Sequence, residues 1–173
     1  MMEIQVVNYS SNWPLLYEEE KKALLPILGK NGVAIFHIGS TSVVGLKAKP
    51  IIDILLVVKE IQLLDQQTPD FEALGYEVMG EFGLPNRRYF RKGGDKRTHQ
   101  IHAYPYDCTQ EILRHLCFCE YLRQQPEISL EYGRLKQQLA KQYPRDIEKY
   151  GDGKEAFVKR IEKEALLNYW KNR

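Results

Sequence analysis

Apolar and polar positions along the chain divide it into a sheet-forming part followed by a helical part. Val33 to Ile38 (VAIFHI) and Ile51 to Val58 (IIDILLVV) are short runs rich in β-branched residues and read as strands. The second is apolar almost throughout, the pattern of a strand covered on both faces, and a lone aspartate, Asp53, interrupts it. Ile4 to Tyr9 has the composition of a further short strand. Ser10-Ser11-Asn12 ahead of Trp13-Pro14 is a helix-start signal, with Asn12 as the expected cap and Pro14 in the first turn. Leu16, Glu20, Ala23, Leu24, Ile27 and Leu28 then recur at steps of three and four, which predicts a helix closed by Gly29 and Asn31-Gly32.

Ile61 to Leu74 predicts a second helix, ending at Gly75. Tyr76 to Phe82, Arg88 to Lys92 and Thr98 to Tyr104 predict three strands, the last two joined antiparallel through the hairpin chemistry of Gly93-Gly94-Asp95-Lys96. Beyond Pro105 the period becomes helical. Glu111 to Arg123 is one helix, stopped at Gln125-Pro126; Ile128, Tyr132, Leu135 and Leu139 mark another, and Phe157, Ile161, Ala165 and Tyr169 a last one. Without an internal repeat or a dividing linker, the expectation is a single domain over residues 1–173. Its class is α/β in the broad sense (α+β): a mixed sheet of five or six strands with packed helices and a helical C-terminal part folded onto the same core.

Composition excludes more than it selects. A hydrophobic share of 43% with 28% charged residues is that of a folded globular chain. Against 25 Lys and Arg stand 23 Asp and Glu, and a net charge of +2 disfavours a nucleic-acid groove or a membrane surface while leaving a small anionic ligand open. The longest apolar run is too short to span a bilayer. Met1 to Tyr9 lacks the basic and apolar regions of a signal peptide, and Cys108, Cys117 and Cys119 are an odd set confined to one stretch. A cytoplasmic location with reduced thiols is therefore expected.

Chemistry concentrates in His37-Ile38-Gly39-Ser40-Thr41-Ser42 and Lys49-Pro50-Ile51-Ile52-Asp53-Ile54. A strand ending at Gly39-Ser40 offers a turn whose N–H groups and hydroxyls suit a phosphate. Asp53 inside an apolar strand requires a cation, Lys49 or a polar cleft to offset its burial. A strand ending in Gly-Ser, then a strand bearing an aspartate, resembles the nucleotidyltransferase superfamily, whose core is written hG[GS]…Dh[DE]h. The run HIGSTSVVGLKAKPIIDILLVV is more closely similar to the GrpB family of that superfamily. The likeness extends through Asn12-Trp13-Pro14, Glu72-Ala73-Leu74-Gly75-Tyr76, Arg87-Arg88-Tyr89-Phe90, Thr98-His99-Gln100-Ile101-His102 and Arg114-His115-Leu116.

The resemblance implies a nucleotidyltransferase-like fold, with Gly39, Ser40 and the adjoining Thr41 on the phosphate-holding turn and Asp53 as the first metal-binding carboxylate. The second carboxylate belongs two residues on, where this chain has Leu55. Two-metal transfer needs ions ~3.5–4 Å apart bridged by carboxylates, so Leu55 departs from that pattern. The strand of the superfamily's third carboxylate corresponds to Thr98 to His102, which offers His99 and His102 on opposite faces. His102 is expected to face the cleft. Two readings stay open for it. Asp53, His102 and His37 hold one divalent ion (Mg²⁺, Mn²⁺ or Zn²⁺, imidazole favouring the transition metals), with His102 also a catalytic base; or His102 is an ordinary hydrogen-bonded strand histidine.

A second constellation is Lys49, Arg87, Arg88, Arg91 and Lys96. Lys49 is expected to neutralise a phosphate or Asp53, and Arg88 to contact phosphate, the alternative being a charged edge strand. The C-terminal cations, Lys136 and Lys154 among them, alternate with acids and read as a solvated helix face, and Arg114-His115 as a surface ion pair, the alternative being a turn toward the cleft from a helix start. The functional expectation is phosphoryl or nucleotidyl transfer on a small nucleotide-containing substrate. Its alternatives are a degenerate nucleotide- or small-anion-binding module and a single-metal hydrolase.

Overall fold

The computed structural model describes residues 3–173, so the first two residues of the expected domain lie outside the described ones. Helix α1, Asn12–Leu28, buries Trp13, Tyr17, Glu20, Leu24 and Leu28, a stripe at steps of three and four. It is followed by β1 (Gly32–Ile38), β2 (Ile52–Val58), a short α2 (Thr68–Ala73), β3 (Tyr76–Val78), β4 (Arg88–Lys92) and β5 (His99–Pro105). The five strands form one sheet in the order β1-β2-β5-β4-β3. Pairing is antiparallel except between β2 and β5, which run parallel. Three helices complete the chain: α3 (Thr109–Gln124), α4 (Pro126–Gln142) and α5 (Ile147–Lys171).

Alternation along β2 explains its unbroken apolar run. Ile52, Ile54, Leu56 and Val58 pack with Leu24, Phe71 and Phe90 under α1 and α2. Leu55 and Val57 point the other way, into a core with Ile38, Tyr104, Leu122 and Ile161 under the C-terminal helices. The sheet is thus the middle of three layers, as a strand apolar on both faces requires. On the α1 side Glu20 is tied to Tyr76 Oη (2.6 Å), Lys92 Nζ (2.7 Å) and His99 Nε2 (3.7 Å), so His99 faces away from His102.

Several elements differ from the sequence expectation for local reasons. Ile4 to Tyr9 forms no strand; its ladder is one bridge, Val7 with Ala48, because Ile4 donates instead to the Pro144 carbonyl (2.7 Å) beneath the α4–α5 corner. Ile61–Gln67 is a 3-10 helix preceding α2. Pro69 lacks the N–H that a continuous helix would donate to the Asp65 carbonyl, which takes the Thr68 hydroxyl (3.0 Å) instead. Strand β3 stops at Val78, ahead of left-handed Gly80, Phe82, Gly83 and Asn86. Helix α5 begins well before Phe157, capped by Asp146, which accepts from the Lys149 N–H (3.0 Å). That early start carries Tyr150 and Lys154 to the sheet. No helix of the described residues is long and apolar enough to cross a membrane, and all three cysteines are free thiols.

Candidate functional site

Where β1 ends, Gly39 turns the chain at φ +72°, ψ −173°, a region almost reserved for glycine. A Cβ there would lie 2.6 Å from Asp53 Oδ2, because Ile38 pairs with Asp53 across the β1–β2 ladder. Gly39 is therefore what lets the carboxylate lie against the turn. Gly39→Ala is expected to cost about 2–4 kcal/mol, from backbone strain and the carboxylate contact together. Thermal unfolding measures it: for a chain of this size the melting temperature falls by roughly 5–15 °C. A variant melting with the unaltered chain would show that the turn tolerates a side chain.

The turn continues as a 3-10 segment, Ser40–Ser42, with the Ser42 hydroxyl donating to the Gly39 carbonyl (2.6 Å). Thr41 is buried and its hydroxyl is occupied: Oγ1 donates to the Ile51 carbonyl (3.1 Å) and meets His37 Nε2 at 3.0 Å. His37 stacks on Tyr17, the ring centroids 4.9 Å apart, and burial lowers its pKa to about 4, so it is neutral and serves as donor to Thr41. It pairs in register with Ile54 and thus projects from the face opposite Asp53. The expected ligand set of Asp53, His102 and His37 is therefore not assembled. Among the described residues no three His, Cys, Asp or Glu side chains gather as a metal-ligating group.

Asp53 and His102 do meet. Oδ1 lies 3.5 Å from Nε2, on adjacent parallel strands and the same sheet face. His102 packs between Tyr89 (5.4 Å between ring centroids) and His115 (5.1 Å), and its Nδ1 is buried without a partner. His115 enters from α3; burial, with the charges of His102 and Arg114 adding, drives its pKa down to about 2. The neighbouring Arg114 pairs with Glu111 (2.7 Å) and Glu162 (3.0 Å), but it and His115 line the cleft rather than a free surface.

Two residues read from the sequence as solvated, Lys136 and Lys154, close the site from above. Lys136 is 2% exposed; its Nζ donates to Ser40 Oγ (2.8 Å) and lies 4.4 Å from the centre of the Tyr132 ring. Lys49 and Lys154 each place Nζ 5.1 Å from the Tyr150 ring. The three ammonium groups share a cavity of about 140 Å³ with Ser40, Asp53 and Gln100. Burial lowers the pKa of all three, Lys154 to about 8, while Asp53 opposes the shift; the charge of Lys49 adds to it at Lys136 and Lys154, that of Lys154 at Lys136, and that of Arg97 at Lys49. The helical period held the signal: Lys136 is four residues beyond Tyr132, and Lys154 four beyond Tyr150, so each shares a face with a buried tyrosine.

Arg88 is not brought to this group. It pairs with Ala103, so its side chain leaves the opposite sheet face, where Asp65 clamps it through two bonds (2.7 and 3.1 Å). Gly39, Ser40, Lys49, Asp53 and His102 converge; Arg88 and His37 stand apart, and Thr41 braces the turn from beneath.

A five-stranded mixed sheet covered by helices on both faces, with a lysine-lined cleft over the β1–β2 turn, defines an α+β protein with a cationic pocket. The chain belongs to the GrpB family, whose model, described as GrpB protein, matches residues 3–164. A crystal structure of the conserved protein GrpB from Enterococcus faecalis superposes with a TM-score of 0.93 at 55% identity, covering 96% of this chain and 99% of that one. The UPF0157 protein YqkA of Bacillus subtilis is 43% identical over 162 residues; these are 94% of this chain, which spans only 47% of the relative's length. The Glutamate-rich protein GrpB of Alkalihalophilus pseudofirmus is 34% identical, over 92% of this chain and 94% of the relative.

Proposed function

We propose that the cleft binds the phosphate of a small nucleotide-containing ligand and transfers its phosphoryl or nucleotidyl group. One observation carries the reading: one buried ammonium group, Lys136, and two half-buried ones, Lys49 and Lys154, surround Ser40 with a single carboxylate, Asp53, among them. Such an excess of positive charge, largely withdrawn from water, is costly until an anion enters. Ser40 and Lys136 hold the phosphate, while Lys49 and Lys154 offset the charge that builds on its oxygens in the transition state. The Asp53–His102 pair takes the proton of the attacking hydroxyl as its oxygen bonds to phosphorus. The bond from phosphorus to the leaving oxygen breaks, and Lys154 supplies that oxygen with a proton.

The residues do not fit the two-metal centre of the superfamily, since Leu55 is fully buried in apolar surroundings where a second carboxylate would stand. The same Leu55 favours a second reading, a module that binds the ligand without transferring a group.

Thermal unfolding and calorimetry with ATP and with inorganic pyrophosphate, in the presence of a chelator, test both. Lys154 is charged below pH ~8 and neutral above it, so affinity is expected to fall at least ~10-fold from pH 7 to pH 9.5. The ligand-free chain behaves oppositely. Unfolded lysine keeps its proton to about pH 10.4, so between pH ~8 and that value the unfolded state binds more protons and stability rises with pH. If neither anion stabilises the chain, the binding reading is wrong. Binding without turnover, unaltered in Asp53→Asn, removes the transfer step and leaves the binding module.

A further inference from the structure

The lysine-lined cavity lies between two larger ones and shares wall residues with each. Ser40, Asp53, Gln100 and Lys154 are walls of both the middle chamber and a neighbour of about 290 Å³, whose far side is built from the rings of His102, His115, Phe118 and Tyr132. Lys49 and Ile51 likewise stand between the middle chamber and one of about 550 Å³ lined by Lys96, Arg97 and Thr98 of the β4–β5 hairpin, with the carboxylates of Glu3 and Asp95 also on its wall. In that outer chamber Arg97 Nε is buried without a hydrogen-bond partner. A guanidinium N–H out of contact with water and protein acceptors is a costly feature that an anionic oxygen would satisfy.

Cations therefore line the cleft in two groups rather than one. Lys136 and Lys154 lie around Ser40, Arg97 waits at the outer end, and Lys49 stands between as a wall of both chambers. A terminal phosphate monoester would fill the middle and one side, leaving the other side and Arg97 unused. A ligand with phosphates inside the molecule uses all three: a planar ring among the aromatic walls, a diphosphate across the lysines toward Arg97, and a second organic group in the outer chamber. We infer that the substrate class is a diphosphate-bridged nucleotide, carrying an organic group on each side of the diphosphate, rather than a simple nucleoside phosphate. This rests on the phosphate reading of the lysine cluster and adds the ligand's shape.

Calorimetry on the full chain with inorganic phosphate, inorganic pyrophosphate, ADP and NAD⁺ separates the two levels. NAD⁺, with a ring-bearing group on each side of its diphosphate, is expected to bind at least ~10-fold more tightly than ADP, and ADP more tightly than pyrophosphate. Arg97→Met is expected to lower NAD⁺ affinity ~10-fold and to leave inorganic phosphate binding unchanged. Arg97→Gln serves if the methionine variant does not fold. Pyrophosphate binding that is matched but not exceeded by NAD⁺, or an Arg97 change without effect on NAD⁺, overturns the diphosphate-bridge inference and leaves the phosphate reading standing. Silence from phosphate and pyrophosphate alike overturns both.

Discussion

Lys136→Met is expected to weaken anion binding severely and, at the same time, to raise the melting temperature of the ligand-free chain. Lys136 is buried to 2% exposure and its pKa is held well below the usual lysine range, first by loss of water and then by the charges of Lys154 and Lys49. A methionine fills nearly the same volume without a charge to desolvate. Exchanging buried charge for apolar volume is stabilising by about 1–4 kcal/mol in comparable cases. Against this stand the bond to Ser40 Oγ at 2.8 Å and the position over the Tyr132 ring at 4.4 Å. Those offset about 1–2 kcal/mol, and each kcal/mol remaining is worth roughly 2–4 °C here. Binding moves the other way. Removing one charge-assisted contact and one of three cations should weaken pyrophosphate or ATP at least ~100-fold, roughly 2.8 kcal/mol. Thermal unfolding with and without anion reads both effects. A variant that melts lower and still binds would make Lys136 a structural residue and remove it from the site.

A gain in stability that accompanies a loss of binding is what separates a functional buried charge from a structural one. The Glu20 network supplies the contrast. There the carboxylate is held below its ordinary pKa although burial opposes this, because Lys92, Tyr76 and His99 are matched to it. Nothing comparable surrounds Lys136. Its partners are a hydroxyl, a ring face and two further cations, with Asp53 across the cavity as the one opposing charge.

Much of the fold was legible because it follows from period. The two-faced apolar run of β2, the β4–β5 hairpin and the opposite facing of His99 and His102 all stand as the alternation predicts. What period cannot supply is register. His37 and Asp53 look like natural partners in a linear motif, yet Ile38, not His37, lies opposite Asp53, and that one-residue offset sends the imidazole to the other face. Arg88 misleads similarly: alternation along β4 does not reveal that its face is the α1 side, where Asp65 holds it. Lys136 and Lys154 were hidden by charge alternation, which imitates a solvated helix. The early start of α5 was hidden by Gly151 and Gly153, poor helix formers. Gly153 is there for packing, since a Cβ would run into the Leu139 side chain of α4.

Leu55→Asp restores the Dh[DE]h pattern in one step, and it is expected to unfold the chain rather than complete a metal centre. Leu55 is 0% exposed and belongs to the core formed with Ile38, Val57, Tyr104 and Leu122. An aspartate there loses the leucine's packing, worth about 2–5 kcal/mol, and adds an unpaired buried carboxylate costing several kcal/mol more. The sum, on the order of 5 kcal/mol or above, rivals the whole stability of an ordinary domain. Leu55→Asn separates the two contributions, since it shares the shape without the charge. Burial raises a carboxyl pKa, so folded aspartate would hold its proton at pH values where the unfolded one has lost it; the deficit of Leu55→Asp against Leu55→Asn should shrink as pH falls toward 5. Circular dichroism and thermal unfolding across that range check the expectation. A Leu55→Asp chain that melts like the unaltered one and gains stability with Mn²⁺ would mean that this strand face opens to the cleft one residue pair deeper than Asp53. The lysines would then stand beside a metal centre instead of replacing it. With Leu55 sealed beneath the C-terminal helices, the positive charge that lines this cleft is supplied by Lys49, Lys136 and Lys154.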